Sequence, residues 1–150
     1  MPTAQAHERY GHKCDGNARG VERFSVAADV TGGPNAAARA RRLVEAELIA
    51  RLPRAIVEDV LLLVTELVAN GVRHGGVGVD SSLHLLLEGR RPGLHVEVGN
   101  ADHGGRGRPV RRAANLEHGG GIGLNLVDEL SSRWGVRPAP DTTVWFEMDC

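Results

Sequence analysis

The stretch from Ala55 to His74 reads AIVEDVLLLVTELVANGVRH. Its apolar residues, Ile56, Val57, Val60, Leu61, Leu62, Leu63, Val64, Leu67, Val68 and Val72, fall on nearly every side of a helix. A helix of that kind is central and buried, not a surface helix with one greasy stripe. Pro53 opens it and GGVGV breaks it at Gly75. Three polar residues stand out against this background. Glu66, Asn70 and His74 are four apart, so their side chains share one face.

Burying glutamate, asparagine and histidine is costly unless each finds a partner. That face either points to solvent or lines a polar pocket, and the apolar density around it favours the pocket. In a pocket, Glu66 is a candidate general base. Asn70 is a candidate neutral oxygen ligand for Mg²⁺, which takes oxygen ligands and keeps several waters.

The remaining pattern supplies what covers such a helix. VERFSVAADV, Val21 to Val30, alternates like a strand with Phe24 and Val26 on one face, and TGGP breaks it. From Pro34, NAAARARRLVEAELIARL reads as a second helix, with Ala36, Ala40, Leu43, Val44 and Leu48 on one stripe. Pro34 suits its first turn. Three later runs alternate with period two: SLHLLLE, LHVEV and VWFEM. Leu83, Leu85 and Leu87 share one face, as do Leu94, Val96 and Val98, and Val144, Phe146 and Met148. His95, Glu97, Trp145 and Glu147 point the other way. GRRPG, Gly89 to Gly93, links the first two runs as a hairpin. One apolar and one polar face predict a mixed or antiparallel sheet covered on one side. The fold class is therefore α+β, a two-layer sandwich with helices on one face of the sheet.

Between Gly99 and Gly121 lies GNADHGGRGRPVRRAANLEHGGG, rich in glycine and arginine. A connection this long inside a compact domain usually counts against an assignment, and the common exception is a functional lid. It ends at GIGLNLVDELSS, where Ile122, Leu126 and Leu130 repeat at helical spacing, so a helix starts at the glycines. Glycines before a helix expose backbone N–H groups at the positive end of its dipole, which makes either an anion site or simply a turn. This is not the dinucleotide fingerprint: no strand leads directly into Gly119, and the glycine spacing is not G-x-G-x-x-G. NADHGG follows the strand LHVEV, and its carboxylate there fits either ligand recognition or an Asx turn.

Composition narrows the function classes. A chain of 150 residues makes one ordinary domain, and 41% apolar residues support a core. Aromatics are only 3%, so that core is aliphatic. A net charge of −1 gives no field to gather nucleic acid or acidic lipid. Lys13 is the only lysine and sits in no G-x-x-x-x-G-K-[ST] context, which excludes a P-loop. Cys14 and Cys150 make neither a metal spacing nor a disulfide framework. No run approaches about 18 apolar residues, and MPTAQAHERYGHK lacks an apolar signal core, so the expected location is the cytoplasm. Residues 1–20 read as a flexible polar tail in which the loose spacing of His7, His12 and Cys14 does not make a metal site. The domain proper is expected over 21–150.

Taken together, ELVANGVRHG on a helix, an Asp-containing glycine turn after a strand, and a glycine-rich lid entering a helix as GGGIGL resemble the GHKL ATPase superfamily and its Bergerat nucleotide pocket. The first segment resembles its N box and the other two its glycine boxes. GIGLNLVDELSSRWG followed by VWFEM narrows the resemblance to the bacterial anti-sigma-factor serine kinases and their small ATP-binding relatives. It covers residues 22–148.

The resemblance implies ATP and Mg²⁺ as cofactors. It implies Glu66 as general base and Asn70 as Mg²⁺ ligand. Gly119, Gly121, Ile122, Gly123 and Leu124 fall in the lid segment that approaches the phosphates. Thr143, or its neighbour Thr142, matches the threonine before the last strand, near the adenine. Arg73 and His74 match residues that usually follow the asparagine, with His74 expected in a supporting or packing role. Many relatives place an aspartate directly after the strand to accept from the adenine amino group. Here that place holds Asn100, unless Asp102 and Gly104 form the D-x-G. A neutral amide presents one acceptor oxygen instead of two, and charge-assisted bonds are roughly twice as strong, so an Asn100 reader implies weaker adenine recognition.

By the same resemblance the chain is a serine/threonine protein kinase acting on a small antagonist protein, with a sigma factor as second partner and a homodimer as assembly. The alternative is a module that holds ATP, or has lost it, and works only by sequestering its partner.

Overall fold

The computed structural model describes residues 7–8, 21–91, 93–100, 121–137 and 142–150. Its elements, in chain order, are β1 (His7–Glu8), β2 (Phe24–Thr31), α1 (Ala36–Leu48), α2 (Arg54–Gly75), β3 (Ser82–Arg90), β4 (Gly93–Asn100), α3 (Gly121–Leu130), β5 (Arg133–Arg137) and β6 (Thr143–Asp149). The strands form one sheet in the order β1-β5-β6-β4-β3-β2, and each neighbouring pair is antiparallel. The expected α+β class holds, with no parallel pair among the described strands.

Helix boundaries follow local chemistry. Asn35 is the N-cap of α1, so Pro34 lies one residue before the cap instead of in the first turn. Ala36, Ala40, Val44 and Leu48 are buried at a spacing of four, with Leu43 packed beside them. Pro53 caps α2 with an extended ψ of 142°. The helix runs through Gly75 and stops because Gly76 adopts the left-handed conformation, φ 64°, where a side chain would be strained. Within α2, Ile56, Val57, Val60, Leu61, Leu63, Val64, Leu67 and Val68 are buried. Leu62 differs from expectation: it is 40% exposed. No helix among the described residues is long and apolar enough to cross a membrane.

The sheet buries one face under the helices. Leu83, Leu85 and Leu87 on β3, Leu94, Val96 and Val98 on β4, and Val144, Phe146 and Met148 on β6 all face the helix layer. The registers Leu85↔Val98, Leu87↔Val96, Val96↔Phe146 and Val98↔Val144 align these side chains into one continuous core. The β3–β4 hairpin is tighter than the sequence predicts. Gly89 is inside β3, and pairing continues to Arg90↔Gly93. Two strands escaped the sequence reading. β5, RWGVR, carries only two alternating apolar positions, and β1 is a two-residue bridge to β5 within the segment read as a tail.

The outward face holds a chain of charges across three strands. His95 is only 7% exposed, its Nε2 lies 2.9 Å from Glu97 Oε1 and its Nδ1 3.0 Å from Glu147 Oε1. Arg137 holds the other oxygen of Glu97. Arg133 holds Glu147 at 2.8 Å and Asp149 at 2.6 Å, and Trp145 stacks on His95 with ring centroids 5.8 Å apart. For Glu97, burial pushes the carboxyl up, but hydrogen bonding from His95 and the charge of Arg137 outweigh it and hold it below the usual carboxylate range. Glu147 is lowered in the same way, with burial opposed by Arg133 and His95.

A carboxylate with a lowered folded pKa stabilises the protein above its unfolded value of about 4.3. That stabilisation disappears as pH falls through the folded value. Glu147→Gln should therefore be less stable than the native chain at pH 7, and the gap should narrow as pH drops below about 4.3. Urea unfolding at pH 7 and pH 3.5 checks this. A gap that stays constant with pH would show that Glu147 contributes through packing instead of charge.

Candidate functional site

The site is built at the end of the sheet where β4 finishes and β6 begins. Asn100 is the last residue of β4, and its N–H donates to the carbonyl of Thr142 at 3.3 Å. The strand alternation places Asn100 on the same face as Val98, the face under the helices. Its cross-strand partner on β3 is Leu83. Leu83 in turn lies against Gly71 of α2: a Cβ added at Gly71 would come within 2.9 Å of Leu83 Cδ2. The glycine in the middle of α2 is thus a point of close approach between the helix and β3. It brings the Asn70 turn of α2 down onto the strand pair that ends at Asn100.

Gly71→Ala would bring helix propensity worth about 1 kcal/mol. It would also press a methyl group onto the end of a buried leucine side chain, which has room to turn only if its neighbours yield. The two effects oppose each other, so stability should stay within about 1 kcal/mol of the native chain. A loss well beyond that in urea unfolding would show that Leu83 cannot move.

Glu66 and Asn70 are both half-buried on α2, one helical turn apart. Glu66 has no hydrogen-bond or ion-pair partner among the described residues. The carboxamide oxygen of Asn70 accepts from Arg73 Nη2 at 3.3 Å. Arg73 and His74 are exposed. α3 begins at Gly121 and packs against α2, with Val127 fully buried and Leu124 against the core. The helix does start at the glycines, as the Ile122, Leu126, Leu130 spacing predicts.

Thr143 lies on the other face. A Cβ at Gly99 would collide with Thr143 Oγ1, and Gly99 shares the outward face with Glu97. The carbonyl of Thr142 accepts from the N–H of Asn100 at the end of β4. Asp102, Gly104, Gly119 and the lid arginines lie outside the described residues. For Gly121, Ile122 and Gly123 the backbone helix is described and the side-chain environment is not.

The structure therefore joins α2 around Asn70, the end of β4 at Asn100 and the start of β6 at one edge of the helix layer, with α3 alongside α2. A protein-family model for the histidine kinase-like ATPase domain matches residues 30–148. The chain belongs to this family. A histidine kinase-like ATPase domain binds ATP, and the match spans every described element from the end of β2 to β6. A comparison with curated proteins gave no match. In this histidine kinase-like ATPase domain, Asn70 Oδ1 is a side-chain oxygen of the type that Mg²⁺ accepts. It is neutral, half-buried and beside the candidate base, and one such ligand fits an ion that keeps waters and takes phosphate oxygens.

Arg73 was named in the sequence only as a neighbour of the asparagine. Its contact with Asn70 was legible as an i, i+3 pair on one helix face.

Proposed function

We propose that this ATP-binding domain is a cytoplasmic serine/threonine protein kinase of the anti-sigma-factor type that phosphorylates a small antagonist protein. The observation that carries this reading is Glu66: a half-buried carboxylate with no ion-pair partner among the described residues, one turn from Asn70. A carboxylate committed to a salt bridge would be a poor proton acceptor. Among the described residues Glu66 is uncommitted.

In the proposed reaction the substrate serine oxygen bonds to the γ-phosphorus of ATP. The bond from that phosphorus to the β,γ-bridging oxygen breaks, ADP leaves, and the serine proton passes to Glu66. Asn70 would hold Mg²⁺, which when bound neutralises phosphate charge. Asn100, or Asp102 beyond the described residues, reads the adenine. Backbone N–H groups at the start of α3 face the phosphates, which suits the positive end of a helix dipole. Catalysis then rests on positioning and on charge stabilisation.

The partners in this reading are the antagonist protein and a sigma factor, and the assembly is a homodimer. A net charge of −1 offers nothing to attract nucleic acid. Asn100 favours a second reading, a module that binds ATP weakly and sequesters its partner without chemistry, because a neutral acceptor at the strand end recognises adenine less strongly than a carboxylate.

The two readings separate in one experiment. Partners captured from native lysate are incubated with the protein, γ-labelled ATP and Mg²⁺. The kinase reading expects label on a serine or threonine of a small partner. Tight partner binding that ignores ATP, with no label transferred, would leave only the sequestering module.

A further inference from the structure

The oxygen assigned to the metal is already in use. Arg73 Nη2 donates to Asn70 Oδ1 at 3.3 Å, one turn along the exposed end of α2. Arg73 forms no ion pair among the described residues, so this amide oxygen is its anchor. The contact also fixes which way the carboxamide points: its oxygen faces the guanidinium. A divalent cation on the same oxygen would face a second positive charge across a single atom. Arginine stays protonated at any working pH, so it cannot relieve the conflict by losing its proton. It must swing away, and its exposure makes that movement easy.

We propose that Arg73 is a positioning residue that caps the Asn70 oxygen and competes with a divalent ion for it. Arg73 then sets how strongly nucleotide binding depends on metal. This inference rests on the reading of Asn70 as metal ligand, and its test separates the two.

Affinity for a fluorescent ATP analogue is measured with Mn²⁺ and again with EDTA, and the ratio of the two affinities is taken. A general effect of a mutation on the fold enters both affinities and cancels; loss of a charge contact with the phosphates would raise the ratio only by lowering the EDTA affinity, whereas release of the Asn70 oxygen raises it by strengthening binding with Mn²⁺. Arg73→Gln keeps the size and a polar end but removes the charge. It should raise the ratio by about threefold or more, the scale of one charge-assisted hydrogen bond at an exposed site. Arg73→Lys keeps the charge and should stay within about twofold of the native ratio. Asn70→Ala should bring the ratio near unity. If Asn70→Ala collapses the ratio while Arg73→Gln leaves it unchanged or lowers it, the competition is refuted and the metal site stands. If Asn70→Ala keeps the native ratio, the metal is not on Asn70, and the metal assignment and this inference fall together.

Discussion

On the proposed kinase reading, a Glu66→Gln variant should bind ATP as the native chain does and lose phosphoryl transfer by about 10²–10⁴-fold, the range that a positioned general base contributes. The substitution is nearly isosteric, and the glutamine amide cannot take the serine proton. Structure predicts that little else changes. Glu66 is half-buried on α2 and has no hydrogen-bond or ion-pair partner among the described residues, so no network is broken by replacing it. The helix around it is held by Leu63, Val64, Leu67 and Val68, all buried on its other faces. The check is a pair of measurements on one preparation: nucleotide affinity by fluorescence and serine-linked label from γ-labelled ATP. Transfer within about tenfold of native would remove Glu66 from the role of base.

The second large effect is structural. Phe146→Ala should cost about 3–5 kcal/mol of stability. Phe146 is fully buried in β6, between Val96 of β4 and Trp134 of β5, and faces the helix layer. Among the described buried core residues it is the only aromatic one; the others are leucine, valine, alanine, one isoleucine and one methionine. Losing the ring removes its burial and leaves a cavity. The surrounding strands are cross-paired on both sides of β6 and cannot close it. In thermal unfolding this corresponds to a drop of roughly 6–20 °C for a domain of this size. A drop of only a degree or two would mean that β6 is not at the centre of the core.

Much of this architecture was legible beforehand, and the reason differs between elements. α2 was visible because its apolar residues crowd all sides of one helix and its ends carry Pro53 and Gly76. β3, β4 and β6 were visible because each repeats a period of two over at least five residues. β5 was not, since RWGVR offers only Trp134 and Val136 on its inner face. Its strand character comes from pairing with β6, Trp134 opposite Phe146 and Val136 opposite Val144. β1 could not be seen at all: a two-residue bridge has no pattern of its own. The hairpin was placed too wide because Gly89 looks like turn chemistry in isolation, whereas it sits in β3 opposite Leu94.

The site divides along the same line. Glu66 and Asn70 could be picked out because a helix puts residues four apart on one face, and polar residues on a buried helix need an explanation. The sequence by itself determined the period of each long element, the apolar face of the sheet and the polar face of α2, because those depend on neighbours a few positions away. The tertiary structure decided which of these faces meet. It seated Gly71 on Leu83, and thereby the Asn70 turn over the strand end at Asn100. It turned Thr143 outward over Gly99, brought the Thr142 carbonyl to Asn100, and gathered His95, Glu97, Glu147 and Arg133 from three strands into one chain of charges. Those contacts depend on strand register and on how a helix settles against a sheet, which are set by packing between residues far apart in the chain.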